Sequence, residues 1–327
     1  MTSSWDGPGY YAAQLAPETV RTDWTMPVAR AGIVPPRPLQ LGDVLGGAFR
    51  AVRFAPLTMF GLTLVVLMVA QLAGTGAGYV LGRQFGLSLV PYGDSDFATT
   101  SLLSWSTVAG TLTNYLTSIL VGMGLMYATF HAVAARKVTP REALRHMFAR
   151  FWAALAYCGL IAVAAVVVAA AVFALAAPAF GRGGSGGDAV IALAVIVALP
   201  GFVWLNTKLL LVPCVISVER LGPFRAIARS WRLTRGQFWR LFGINMLAGL
   251  LVSMAAGTVS TVFSFVGLML TVEQGGELGL LAMTTASNLS ATVLSLPLTT
   301  AVATLLYTDA RIRQEGYDLQ LTETLYG

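Results

Sequence analysis

Lys208 sits where charge is expensive. It lies inside an apolar run at about 189–218, and a charge at the centre of a hydrocarbon layer costs about 2.5–3.5 kcal/mol on insertion scales. Two roles would justify it. Its long stem could carry the ammonium out to the inner headgroups, about ten residues along at Glu219. Alternatively, it could line a polar cavity with Asn206, and with Asn114, Asn245 and Asn288 from other apolar runs. The bland reading of those asparagines is interhelical hydrogen bonding, each bond worth roughly 0.6 kcal/mol. Lys208 and Asn206 are therefore the candidate intramembrane polar site.

Other chemistry-bearing residues are sparse. His131 and His146 are the two histidines, and both stand apart from any carboxylate cluster in the sequence. Asp94, Asp96, Asp188, Glu273 and Glu277 fall in candidate outer loops, where they could share a cation but read more simply as solvated loop charges. Cys158 and Cys214 lie inside apolar runs without CxxC or Cys/His metal spacing, so neither a disulfide nor a metal site is expected. No P-loop, GxSxG or HExxH motif occurs. The residues predict no catalytic group, no metal and no cofactor.

The elements that position these residues are membrane spans. The 327 residues are 56% hydrophobic and 11% charged, with mean hydropathy +0.71. Ordinary globular domains carry roughly 25% charged residues. Half that share, with the apolar residues in long blocks, points to lipid as solvent. The expected fold is an all-α integral membrane protein with six spans at about 57–81, 104–134, 152–180, 189–218, 238–272 and 278–308. Residues 1–37, with scattered aromatics among Pro, Gly, Ser and Thr, read as a disordered tail. The membrane domain covers 38–313, and 314–327 form a C-terminal tail. No cleavable signal peptide is visible, the first apolar run beginning near Leu57. Pro200 and Pro213 should kink the fourth span.

Basic residues orient the chain. The stretch 219–240 carries Arg220, Arg225, Arg229, Arg232, Arg235 and Arg240 against the single acid Glu219. Eighteen of the 21 basic residues fall on one side of a six-span layout, two (Arg83 and Arg182) on the other, and Lys208 within a span. Basic loops stay cytoplasmic, so a multi-pass plasma-membrane protein with both termini in the cytoplasm is predicted. The net charge of +6 fits loop arginines facing anionic headgroups, each worth roughly 1 kcal/mol, and not nucleic acid. Arg225, Arg229 and Arg232 are the candidate contacts to such headgroups or to an unidentified membrane-protein partner.

Three basic amphipathic segments precede spans. In 41–53, Leu41, Val44, Leu45, Ala48 and Val52 share a helical face, which predicts a short helix resting apolar face down in the headgroups. At Thr139–Pro140–Arg141–Glu142 the pattern is a capping box, with Thr139 as N-cap and Glu142 as reciprocal partner. The third helix, with Phe224, Ile227, Ala228 and Trp231 on one face, should end near Arg232. The pattern predicts three repeats, each an interfacial helix plus a transmembrane hairpin. Beyond the sixth span, Asp309/Arg313 and Arg311/Glu315 are i,i+4 pairs that favour helical extension.

The blocks VPPRPLQLGDVLGGAFR, LVPCVISVERLGPFRAIARSWRLTRGQFWRLFG and LLYTDARIRQEGYDLQL resemble actinobacterial relatives of the glycerophosphoryl diester phosphodiesterase membrane-domain family, over about 33–321. The resemblance implies a bacterial membrane region only. It carries across no catalytic barrel, no phosphodiesterase activity and no catalytic residues. Together with the residues themselves it leads to a non-enzymatic scaffold or accessory subunit in cell-envelope function, with a transporter or lipid-handling protein as the alternative. A polar cavity containing Lys208 would favour transport, and a packed Ala/Gly/Leu interior would favour a scaffold.

Overall fold

The computed structural model describes residues 38–85, 105–180, 200–274 and 277–316, and all regular structure among them is helical. In chain order the helices are α1 (Leu41–Phe54), α2 (Leu62–Phe85, entered through a π turn at Leu57–Gly61), α3 (Trp105–Val133), α4 (Pro140–Ala149) and α5 (Phe151–Phe180). They continue with α6 (200–209), α7 (Val212–Val218), α8 (Pro223–Leu233), α9 (Phe238–Gln274) and α10 (Glu277–Glu315). Five helical stretches are long and apolar enough to cross a membrane, or six if the bent pair α4–α5 counts as one span.

Local chemistry explains where these helices begin and break. At α4 the Thr139 hydroxyl accepts from the Glu142 N–H at 3.3 Å, with Pro140 in the first turn. The predicted reciprocal half of that box is not made. The Glu142 carboxylate faces Arg136 instead, at 4.0 Å. Pro223 likewise occupies the first turn of α8, which ends at Leu233, one residue beyond the predicted stop. Pro213 breaks the fourth span as expected. The chain turns at Leu210 and Leu211, and α7 restarts with Pro213 in its first turn, where a missing N–H costs nothing. Pro200 is the first described residue of α6, so its effect on the preceding chain lies outside the described residues, as does the loop at 181–188. A further proline, Pro297, sits inside α10. Nearby, the Thr300 hydroxyl lies 2.7 Å from the Leu296 carbonyl and 3.1 Å from the Pro297 carbonyl.

Each basic segment is separated from the long helix after it. Ala55 interrupts the chain between α1 and the π turn. Arg150 separates α4 from α5, which are bent by 60°. A turn at 234–237 separates α8 from α9.

The role of α1 differs from the sequence reading. Its apolar face does not lie open to headgroups. Val44, Gly47, Ala48, Ala51 and Val52 are buried, and α1 packs against α10, while Leu41, assigned to that face, is 40% exposed.

The long helices pair as antiparallel neighbours, α2 with α3 and α9 with α10. Gly74 and Gly110 make the first contact tight. A Cβ at Gly74 would collide with Thr113, and one at Gly110 with Thr75. α10 has 39 residues, hence a length of roughly 58 Å. It is longer than the ~30 Å of a hydrocarbon core, and it packs against α1, α7 and α8. The main core is there, around Leu39, Ile216, Leu233, Leu241 and Tyr307.

Candidate functional site

A cleft of about 560 Å³ opens among α3, α5, α6, α9 and α10. Small-molecule sites commonly run ~300–1,000 Å³, largely apolar with a few placed polar groups. The walls follow that pattern. Apolar residues such as Ile119, Tyr157, Ile161 and Leu209 make most of the surface, and Asn206, Asn245, Thr299 and Thr300 interrupt it. Both threonine hydroxyls turn back to α10 carbonyls, Thr299 at 2.9 Å from Ser295. Neither the Asn206 nor the Asn245 carboxamide has a hydrogen-bond partner among the described residues.

Lys208 is not part of this lining. It is 8% exposed, and its ammonium lies 5.4 Å from the Trp231 ring and 5.8 Å from the Phe238 ring. Its carbonyl accepts the Ser230 hydroxyl at 2.6 Å. α6 turns Lys208 away from the cleft and against the α8–α9 junction, while Asn206, two residues earlier, faces the cleft. The two members of the predicted polar site are thus separated. Residues two apart on one helix point to different sides, which separates Asn206 from Lys208.

The three predicted headgroup arginines also divide. Arg225 and Arg232 are exposed. Arg229 is taken up by two carboxylates, bonding Glu219 at 3.1 Å and Glu315 at 2.6 Å. Glu219 further accepts the Tyr307 hydroxyl at 2.7 Å, and Arg311 bonds Glu315 at 3.2 Å. A second cluster centres on Asp309, which is fully buried. Its carboxylate accepts from the Leu39 N–H, from Arg313 and from Arg240, and both arginines also donate to the Leu39 carbonyl. Both i,i+4 pairs named from the sequence form, and each is drawn into a wider network.

The histidines come together across α3 and α4. Tyr127 stacks on His146 at 4.1 Å between centroids and touches His131 at the same distance. Ser217 of α7 lies 3.3 Å from His146 Nε2. A serine beside a histidine suggests a nucleophile and base, but the geometry is wrong for that. The Ser217 hydroxyl donates to the Met123 carbonyl at 2.7 Å and is 1% exposed. Burial first, then the positive charges of Arg150 and Arg220, push the His146 pKa down to about 4.

No group of three His, Cys, Asp or Glu among the described residues is placed to hold a metal. Asp94, Asp96 and Asp188 lie outside the described residues. Glu219, Tyr307, Asp309 and Arg240 were not singled out as a site by sequence reasoning. The usable signal was the presence of acids at the ends of apolar runs, where an unpaired charge is costly. The chain matches no family model, no curated protein and no solved structure.

Proposed function

We propose that this chain is a multi-pass bacterial plasma-membrane protein, with both termini cytoplasmic, that holds a membrane lipid without transforming it. In this reading it serves as an accessory protein of the cell envelope. The resemblance to the glycerophosphoryl diester phosphodiesterase membrane-domain family belongs to the same proposal.

The cleft carries the reading. It lies between helices long and apolar enough to cross a bilayer, and its walls suit a hydrocarbon chain. Asn206 and Asn245 face it without hydrogen-bond partners among the described residues. In hydrocarbon an unpaired amide costs several kcal/mol, so a ligand with a polar group at the head of its chain fits better than bare hydrocarbon. The transport reading loses its main support, because Lys208 lies against Trp231 and Phe238 and not in the cleft.

The test is purification in mild detergent followed by mass spectrometry of retained lipid. The comparison is with Ala164→Phe, which places a ring on the α5 wall. Retention should fall about tenfold, equivalent to ~1.4 kcal/mol. Unchanged retention in a folded variant would remove the cleft as the binding site.

A further inference from the structure

We propose that Arg150 and Arg220 hold the phosphate of an anionic phospholipid from the cytoplasmic leaflet, whose acyl chain occupies the cleft. The proposal rests on the lipid-holding reading and names the class of lipid.

The two residues are 70 positions apart and meet at the membrane-interface end of α5 and α7. Arg150 stands at the bend between α4 and α5, and its Nη1 donates to the Arg220 carbonyl at 3.5 Å. Arg220 follows α7 in a left-handed conformation, φ 58°, that only Ala135 shares among the described non-glycine residues. Such a conformation is uncommon for a side-chain-bearing residue and is held by its surroundings.

Among the described residues, counter-charge is supplied to the arginines packed against α10 but not at this point, nor at exposed Arg225 and Arg232; what distinguishes Arg150 and Arg220 is that they lie together. Arg229, Arg240, Arg311 and Arg313 each bond a carboxylate. Arg150 and Arg220 have none among the described residues, yet they are close enough to repel. That repulsion, after burial, holds the Arg150 guanidinium below its usual pKa. Two neighbouring arginines with no acid bonded to either among the described residues suit a phosphate, which accepts several charge-assisted bonds at once.

The location links this pair to the cleft. Tyr157 lies seven residues into α5 from Arg150, and Pro213 seven residues before Arg220, and both line the cleft. Seven helical residues rise about 10 Å. A phosphate at the arginines therefore sets the first part of an acyl chain at the cleft's near end. Trp152 beside Arg150 is 77% exposed, as an aromatic residue at headgroup level should be.

The test uses the full chain in nanodiscs of phosphatidylcholine doped with phosphatidylglycerol, with bound lipid read by native mass spectrometry. The wild type should retain phosphatidylglycerol in preference to phosphatidylcholine. Arg150→Gln/Arg220→Gln should lose that preference by about tenfold while still retaining phosphatidylcholine, which also reports an intact cleft. Arg53→Gln/Arg141→Gln removes the same charge from other exposed positions and should keep the preference. Excess inorganic phosphate should not displace the lipid, since the chain in the cleft supplies part of the affinity. Equal retention of both lipids by the wild type overturns this proposal alone. An equal loss in the control pair, or displacement by phosphate, overturns it as well. Failure of the wild type to retain any lipid overturns the cleft reading together with it.

Discussion

The carboxylate of Asp309 accepts a 2.7 Å hydrogen bond from the backbone N–H of Leu39, 270 residues earlier in the chain. Through it the start of α1 is tied to the end of α10. Arg240 and Arg313 close the arrangement by bonding both the carboxylate and the Leu39 carbonyl. Removing one partner of a buried charge pair typically costs about 3–5 kcal/mol. Here the arginines are about one-third exposed, which places Asp309→Ala near the lower end, at about 3 kcal/mol. Denaturant unfolding in detergent should show that loss. Asp309→Asn should lose less, because its amide oxygen still accepts from Leu39.

Arg229 and Arg225 lie on one helix four residues apart and should behave differently. Arg229→Ala leaves Glu219 and Glu315 facing each other without the cation between them, and should cost about 1–3 kcal/mol. Arg225→Ala, exposed and without a carboxylate partner among the described residues, should stay within ~0.5 kcal/mol. Equal melting temperatures for the two variants would mean that the Glu219–Arg229–Glu315 bridge contributes nothing.

Acid should destabilise the fold through His146. Its folded pKa is near 4, against about 6.5 for a free histidine. Between these values the unfolded state binds more protons, so stability rises with pH across that window. The contribution is complete above pH ~6.5 and is lost as pH falls towards ~4. Thermal melts from pH 7 to pH 4 should show a decline that His146→Gln flattens. An unchanged slope in that variant would assign the decline to other groups.

Lys208 should behave as an interfacial anchor. Its ammonium rests against Trp231 and Phe238, an interaction worth about 0.5–2 kcal/mol. Lys208→Arg should keep most of it, since a guanidinium also stacks on aromatic faces. Lys208→Met should lose it, and Trp231→Leu should lose a similar amount. Neither Lys208 variant should alter lipid retention, because Lys208 is not in the cleft. A selective loss of bound lipid in Lys208→Arg would return the residue to the functional site.

Orientation has its own measurement. A cysteine at Arg235 should react with impermeant thiol reagents only after the cytoplasmic face is opened, and one at Glu277 should react on intact cells. The reverse pattern would invert the proposed topology.

Much of the local structure is legible in the residues themselves. Thr139 and Pro140 mark the start of α4, Pro223 the start of α8 and Pro213 the restart at α7, because capping hydrogen bonds and a missing N–H act within one turn. The Asp309/Arg313 and Arg311/Glu315 pairs extend α10 for the same reason. Long apolar runs mark the helices that are long and apolar enough to cross a membrane, because composition alone sets that property. Which side of each long helix faces inward is not legible, since these helices are apolar all round and lipid is as apolar as the interior. Hydrophobicity then carries no label for the buried face. Shape and hydrogen bonding choose it, as where Gly74 and Gly110 let α2 and α3 meet against Thr113 and Thr75. For the same reason only the tertiary structure separates Asn206 from Lys208 and Arg229 from Arg225. It alone brings Arg150 to Arg220 and Leu39 to Asp309, because those meetings depend on how helices far apart in the chain pack together.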